Sequence, residues 1–135
     1  MVLLFDLYNL PEDVYEVIFA TEQQKIVAKM LIEEMKLHEG ELNKTEMGVF
    51  AARLHAGYVT HISDPAYAGK KVRISYNKRQ FYDRILTPMK GMGMIDYNLY
   101  TKTYNLSEKF NRAMISIGLM WIQELRKKPH YLPRR

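Results

Sequence analysis

The chain contains no cysteine. Disulfide staples, thiolate zinc sites and cysteine nucleophiles are therefore excluded. Long hydrophobic runs are missing as well. The apolar stretches are short and interrupted by charge, and none approaches the roughly 20 apolar residues of a membrane span. The opening MVLLFDLYNLPEDVYEV has no basic n-region and turns acidic at once, so the reading expects no signal peptide and an intracellular, cytoplasmic protein, in a host cytoplasm if the chain is viral. Catalytic signatures are equally scarce. His38, His55, His61 and His130 form no His-x-x-x-His pair or other metal spacing. Glu33, Glu34, Glu39 and Glu41 read as an acidic surface. Gly91-x-Gly93 lacks the third glycine and the preceding strand of a dinucleotide loop. No Walker sequence or nucleophile elbow is present. The expectation is a protein that is not an enzyme, with no metal, cofactor or small-molecule substrate.

What is present is enough for one folded domain with extensions: 135 residues, of which 47% are hydrophobic. The nine methionines read as pliable core filler rather than a ligand set. Charge is strongly polarised along the chain. Residues 1–68 hold 5 Lys/Arg against 11 Asp/Glu, a net of −6. Acid is scarce in residues 69–135, which hold 15 Lys/Arg against 4 Asp/Glu, a net of +11. Such a split points to a face built for an anionic partner, since phosphate neutralisation dominates nucleic-acid affinity.

Residues 1–20 read as an apolar arm and a short helix over 11–20, with Pro11 in a first turn and Glu12 and Asp13 beside it. Thr21 and Gln24 resemble a capping box. Val27, Met30, Leu31 and Met35 then recur at the helical period, and Gly40 is a plausible stop. A continuous 11–38 helix is the alternative. Asn43 and Glu46 open a second helix with Met47, Phe50, Ala51 and Leu54 on its apolar face, ended by Gly57. Residues 57–75 lack helical periodicity and read as a basic loop with a possible short strand or turn of helix. A third helix over 77–90, capped by Ser75 or Asn77, buries Phe81, Tyr82, Ile85, Leu86 and Met89, and Pro88 bends or shortens it. Runs 94–97 and 102–106 read as a hairpin joined by 98–101. Ser107 caps a last helix reaching about Lys128, Pro129 stops it, and 129–135 is a loose basic tail.

The order helix, helix, helix, hairpin, helix from residue 21 to 128 resembles the winged helix-turn-helix DNA-binding family, most closely the small regulators of archaea and their viruses and plasmids. The densest match is 77–110, where the corner Met89-Lys90-Gly91-Met92-Gly93-Met94-Ile95 leads from helix to wing and LSEKF steps into the last helix. The family usually joins its second and third helices by a short turn. Here the gap from Gly57 to Ser75 is long, and reads as a basic insertion or as a segment holding a further helix. The fold implied is α+β, mainly α, with a two-stranded wing and a long C-terminal helix.

The resemblance implies a role for the third helix in the DNA major groove, which is wide enough to admit a helix. It sends Arg79, Gln80, Asp83 and Thr87 towards base edges, with Tyr76 on their side. It sends Lys78, Arg84 and Lys90 to phosphates. Tyr100, Thr101 and Lys102 at the wing tip would follow the backbone or minor groove. Lys70, Lys71 and Arg73 are a second set of candidate phosphate contacts.

The last helix argues differently. Phe110, Met114, Ile117, Trp121 and Leu125 lie on one side, and Ile115, Leu119 and Ile122 widen the arc beyond the ~100° stripe of an ordinary amphipathic helix. One small core cannot cover that much apolar surface, so a homodimer is expected through these residues. The function expected is sequence-specific binding of double-stranded DNA by a dimeric transcriptional regulator. A protein–protein adaptor of the same fold and an RNA-binding protein stay open.

Overall fold

The computed structural model describes residues 6–61, 71–74 and 76–131. Its first elements are set by short polar side chains. Asp6 accepts the Tyr8 N–H and starts a 3-10 turn, Leu7–Asn9. Asp13 accepts the Tyr15 N–H and starts α1, Val14–Ile18, which is shorter than the 11–20 expected. Phe19 and Thr21 are both extended, so α1 does not continue into α2 (Glu22–Leu37) and the single 11–38 helix is not formed. Thr21 caps α2 by accepting the Gln24 N–H at 3.2 Å. Its end is the expected one: Gly40, at φ +83°, donates its N–H to the Met35 carbonyl at 2.7 Å.

β1, Glu41–Asn43, follows at once and was not foreseen. Asn43 then caps α3, Lys44–His55, in a reciprocal box with Glu46. The segment 57–75, read as a basic loop with a possible short strand or turn of helix, holds two paired strands among its described residues. β2, Tyr58–His61, pairs antiparallel with β3, Lys71–Ile74, from Tyr58 opposite Ile74 to His61 opposite Lys71. Its β-branched residues at Val59, Thr60, Val72 and Ile74 suit a pleated backbone. Residues 62–70, with the candidate Lys70, lie outside the described residues.

The next helical rod runs as α4 (Lys78–Phe81), a π turn (Tyr82–Leu86) and α5 (Thr87–Gly91). Within the π turn the Thr87 N–H donates to the Tyr82 carbonyl, one residue further back than in an α-helix. Pro88, which has no N–H to continue the ladder, follows directly. The wing-like hairpin is β4, Ile95–Asn98, and β5, Thr103–Leu106, one residue later than expected at each strand start. β1 pairs with β5, giving a three-stranded antiparallel sheet in the order β1-β5-β4. α6, Lys109–Arg126, is the last element. The architecture is α+β and mainly helical.

The core lies between α2, α3, the α4–α5 rod and the sheet. Phe81, Leu31, Met35, Leu42, Met47, Leu54, Ile85, Leu86 and Met89 are its largest fully buried side chains. Phe50 and Phe81 meet with tilted rings at 5.4 Å, joining α3 to the rod. Each such side chain contributes roughly 1.5–3 kcal/mol on burial.

The corner after α5 uses only one of its two glycines for conformation. Gly93 sits at φ +83°, and a Cβ there would stand 2.9 Å from the Phe110 nitrogen. Gly91 has open space and an ordinary φ. The close approach is functional packing: the Phe110 N–H donates to the Gly93 carbonyl, and Ser107 N–H to Met94 carbonyl, fixing the root of α6 on the corner. Gly93→Ala should therefore lower stability by about 2–4 kcal/mol, combining left-handed strain with the clash. Gly91→Ala should be neutral or slightly stabilising. Urea midpoints of the two variants check this.

Candidate nucleic-acid interface

The rod starts on a reciprocal cap. Asn77 Oδ1 accepts the Gln80 N–H at 2.8 Å, and Gln80 Oε1 accepts the Asn77 N–H at 3.1 Å. This defines what the rod can present. Phe81, Ile85, Leu86 and Met89 point inward, while Lys78, Arg79, Asp83, Arg84, Thr87 and Lys90 are exposed. Arg79, with its side chain 91% exposed, lies 3.6 Å from Asp83 one turn on. A pair this exposed contributes at most about 1 kcal/mol, so its guanidinium is readily given to another acceptor.

The cap also corrects one expectation. Gln80 does not stand wholly free to read a base; its side chain is half-buried and its Oε1 already accepts the Asn77 N–H, so the bidentate amide contact to adenine is closed to it. Tyr76 is a second correction. It is 5% exposed and part of the core, and its N–H donates to the Leu54 carbonyl at the end of α3. It precedes the cap in extended conformation, so helical spacing does not carry it to the outer face. Asn77→Ala should cost about 1 kcal/mol in a denaturant titration and speed hydrogen exchange in the first turn of the rod, which carries Lys78 and Arg79.

The first turn of the rod is electrostatically unusual. The positive end of a helix dipole favours acids, and α2 and α3 carry Glu22 and Glu46 there. The rod carries no acid in its first turn, and Lys78 and Arg79 instead. Two cations are concentrated at one exposed point.

Lys90 closes the other end. Its Nζ lies 5.6 Å from the centre of the Tyr97 ring and 5.9 Å from that of Tyr104, between rod and hairpin. The two rings are themselves 4.6 Å apart. Burial, then the neighbouring Tyr82 and Tyr97, pushes the Tyr104 hydroxyl above its ordinary pKa, and burial does the same for Tyr82. The Tyr97 and Tyr104 rings serve as a platform for the ammonium.

The hairpin turn is rigidly built. Asn98 Oδ1 accepts the N–H groups of Tyr100 at 2.9 Å and Thr101 at 3.2 Å, and Lys102 takes φ 54°. Thr101 and Thr103 hydroxyls meet at 2.7 Å. This holds Tyr100 98% exposed, with Leu99 beside it. The Lys44 N–H donates to the Lys102 carbonyl, bringing the exposed Lys44 at the start of α3 next to the tip. Sequence reasoning missed Lys44 and Leu99, since Lys44 reaches the tip only through the pairing of β1 with β5. Lys71 and Arg73 stand two residues apart on β3, opposite His61 and Val59.

α6 has no buried residue. Phe110 is half-buried at its root, whereas Met114, Ile115, Ile117, Leu119, Trp121 and Ile122 are exposed, Trp121 by 63%. Met120, which the sequence reading passed over, and Leu125 are exposed with them. Among the described residues there is no cluster of metal-ligating side chains and no helix long and apolar enough to cross a membrane. Comparison with protein-family models, with curated proteins and with solved structures gives no match.

Proposed function

We propose that the chain is a winged helix-turn-helix protein that binds double-stranded DNA as a homodimer and regulates transcription by occupying its site. The observation that carries this reading is the outer face of the α4–α5 rod, where Lys78, Arg79, Arg84 and Lys90 stand exposed on an element that runs into the β4–β5 hairpin. The order of elements supports it: helix, strand, two helices with a hairpin between them, then a two-stranded wing whose inner strand pairs with β1. The β2–β3 hairpin is the insertion that lengthens the family's usual turn.

In this reading the rod enters the major groove. Arg79 suits the paired acceptors of guanine, Asp83 the amino group of cytosine, and Thr87 either a hydrogen-bonding edge or a thymine methyl. Lys78, Arg84 and Lys90 meet phosphates and set register without specifying sequence. Lys102, Thr101 and Tyr100 follow the backbone or the adjacent minor groove, joined by Lys44. Pairing through α6 gives two rods for half-sites about 34 Å apart.

The test is selection of bound sequences from a random duplex pool, followed by a salt titration of the best binder. A pseudo-palindromic consensus is expected. Four phosphate contacts per protomer would give a slope of log K against log salt near −7, from ~0.9 per phosphate. Two other outcomes reject the reading. Tighter competition by single-stranded RNA would assign exposed Tyr100 to base stacking. No duplex binding at low salt would leave a protein–protein adaptor working through α6.

A further inference from the structure

The apolar residues of α6 outrun what one partner helix can cover. At about 100° per residue, Met114, Ile115, Gly118, Trp121, Ile122 and Leu125 form one stripe, the width that a second helix occupies. Ile117 and Met120 lie beyond one edge of it; exposed Leu119 lies beyond the other, in line with Arg112 seven residues before it and Arg126 seven residues after it. Eight large side chains exposed on this helix leave on the order of 800 Å² per protomer to be buried, the size of half a standard specific interface.

A second surface in the chain has matching character. Leu7, Tyr8, Leu10 and Val14 are exposed in the N-terminal turn and α1. The same segment, residues 6–18, holds Asp6, Glu12, Asp13 and Glu16 and no Lys or Arg. α6 and its exit are the reverse. Lys109 is held by Asp96 and Lys127 by Glu124, but no ion pair among the described residues holds Arg112, Arg126 or Lys128. Exposed Glu12 and Glu16 likewise have no ion-pair partner there. An acidic apolar segment and a basic apolar helix are thus both open in one chain.

They do not cover each other within the folded chain: Leu7, Leu10 and Leu119 all stay exposed. Phe19 is buried, Tyr15 and Ile18 pack on the core, and Asp13 is bound to Lys29 of α2, so the segment is fastened to its own α2. A second copy carries both surfaces. We infer that, in the dimer, residues 7–16 of each protomer cover the Leu119 edge of the partner's α6, with Glu12 and Glu16 against Arg112 and Arg126, while the two α6 stripes pair with each other. This rests on the homodimer proposed above and adds a reciprocal, charge-matched clasp to it.

The absence of native cysteine makes the test clean. Leu10→Cys and Leu119→Cys are prepared as separate full-length variants, each at an exposed position, and their fold is checked by circular dichroism. The two are mixed, allowed to exchange and treated with a short bis-maleimide, and sedimentation records the assembly beforehand. A crosslinked species joining one L10C chain to one L119C chain is expected, together with about a tenfold weaker dimer when Glu12→Lys and Glu16→Lys are combined at low salt. A dimer that gives only like-with-like crosslinks, or none, overturns the clasp and leaves the homodimer standing. A chain that sediments as a monomer at all concentrations overturns both.

Discussion

If the α4–α5 rod holds duplex DNA as proposed, Glu in place of Lys78 and of Arg84 should sharply weaken duplex binding while the fold and the proposed self-association persist. The two residues are exposed, and neither is engaged in an ion pair among the described residues. Each removed contact to phosphate forfeits about 1.5–3 kcal/mol, and the new carboxylate repels the phosphate in addition, so affinity should fall by roughly a hundredfold to ten-thousandfold. The stability change should have the opposite sign. Lys78 is the first residue of α4, where a cation opposes the helix dipole, so Glu there should add about 0.3–1 kcal/mol. A variant that folds slightly better and binds its duplex far more weakly separates function from folding. Fluorescence anisotropy on the selected duplex and a urea titration on the same preparation measure both. Unchanged DNA affinity with raised stability would remove the rod from the interface.

The same contrast explains what could be read from the sequence. Caps were legible because they are local: Thr21, Asn43 and Asn77 each accept the N–H three residues on. The corner was legible because a helix must stop and reverse within a few residues, although only Gly93 needs its freedom there. Phe81, Ile85, Leu86 and Met89 announced their burial by spacing. The misses are non-local. β1 is three residues long, shows no period, and exists because β5 supplies partners from Thr103 to Asn105. The β2–β3 hairpin has its strands separated by a segment rich in turn residues, which masked two short β-branched runs. Tyr76 is an aromatic beside a cap, and its burial depends on where α3 ends. Gln80 was read for its amide chemistry when the cap had already taken that amide's oxygen.

In the proposed homodimer, a single aspartate in place of Ile122 on α6 should convert the dimer to monomers. In a dimer, Ile122 stands in the stripe with Trp121 and Leu125, and aromatic residues at the centre of an interface commonly carry most of its energy. A carboxylate buried there without a partner costs several kcal/mol, enough to raise the dissociation constant by about a thousandfold or more. Affinity for a two-half-site duplex should then fall by roughly 10²–10⁴, because the second rod is no longer tethered to the first. The folded protomer is expected to tolerate the change, since α6 has no buried residue and its ties to the domain, the Gly93 corner and the Lys109–Asp96 pair, lie at its root far from Ile122. This differs sharply from the same substitution at Val27, wholly buried in α2, which should unfold the chain. Sedimentation, duplex titration and thermal melting therefore make one test. Monomer formation with a protomer that still folds identifies α6 as an intermolecular element. Collapse of the protomer itself, with α6 behaving like α2, would mean that its apolar arc serves the chain's own core and that no second copy is needed to explain it.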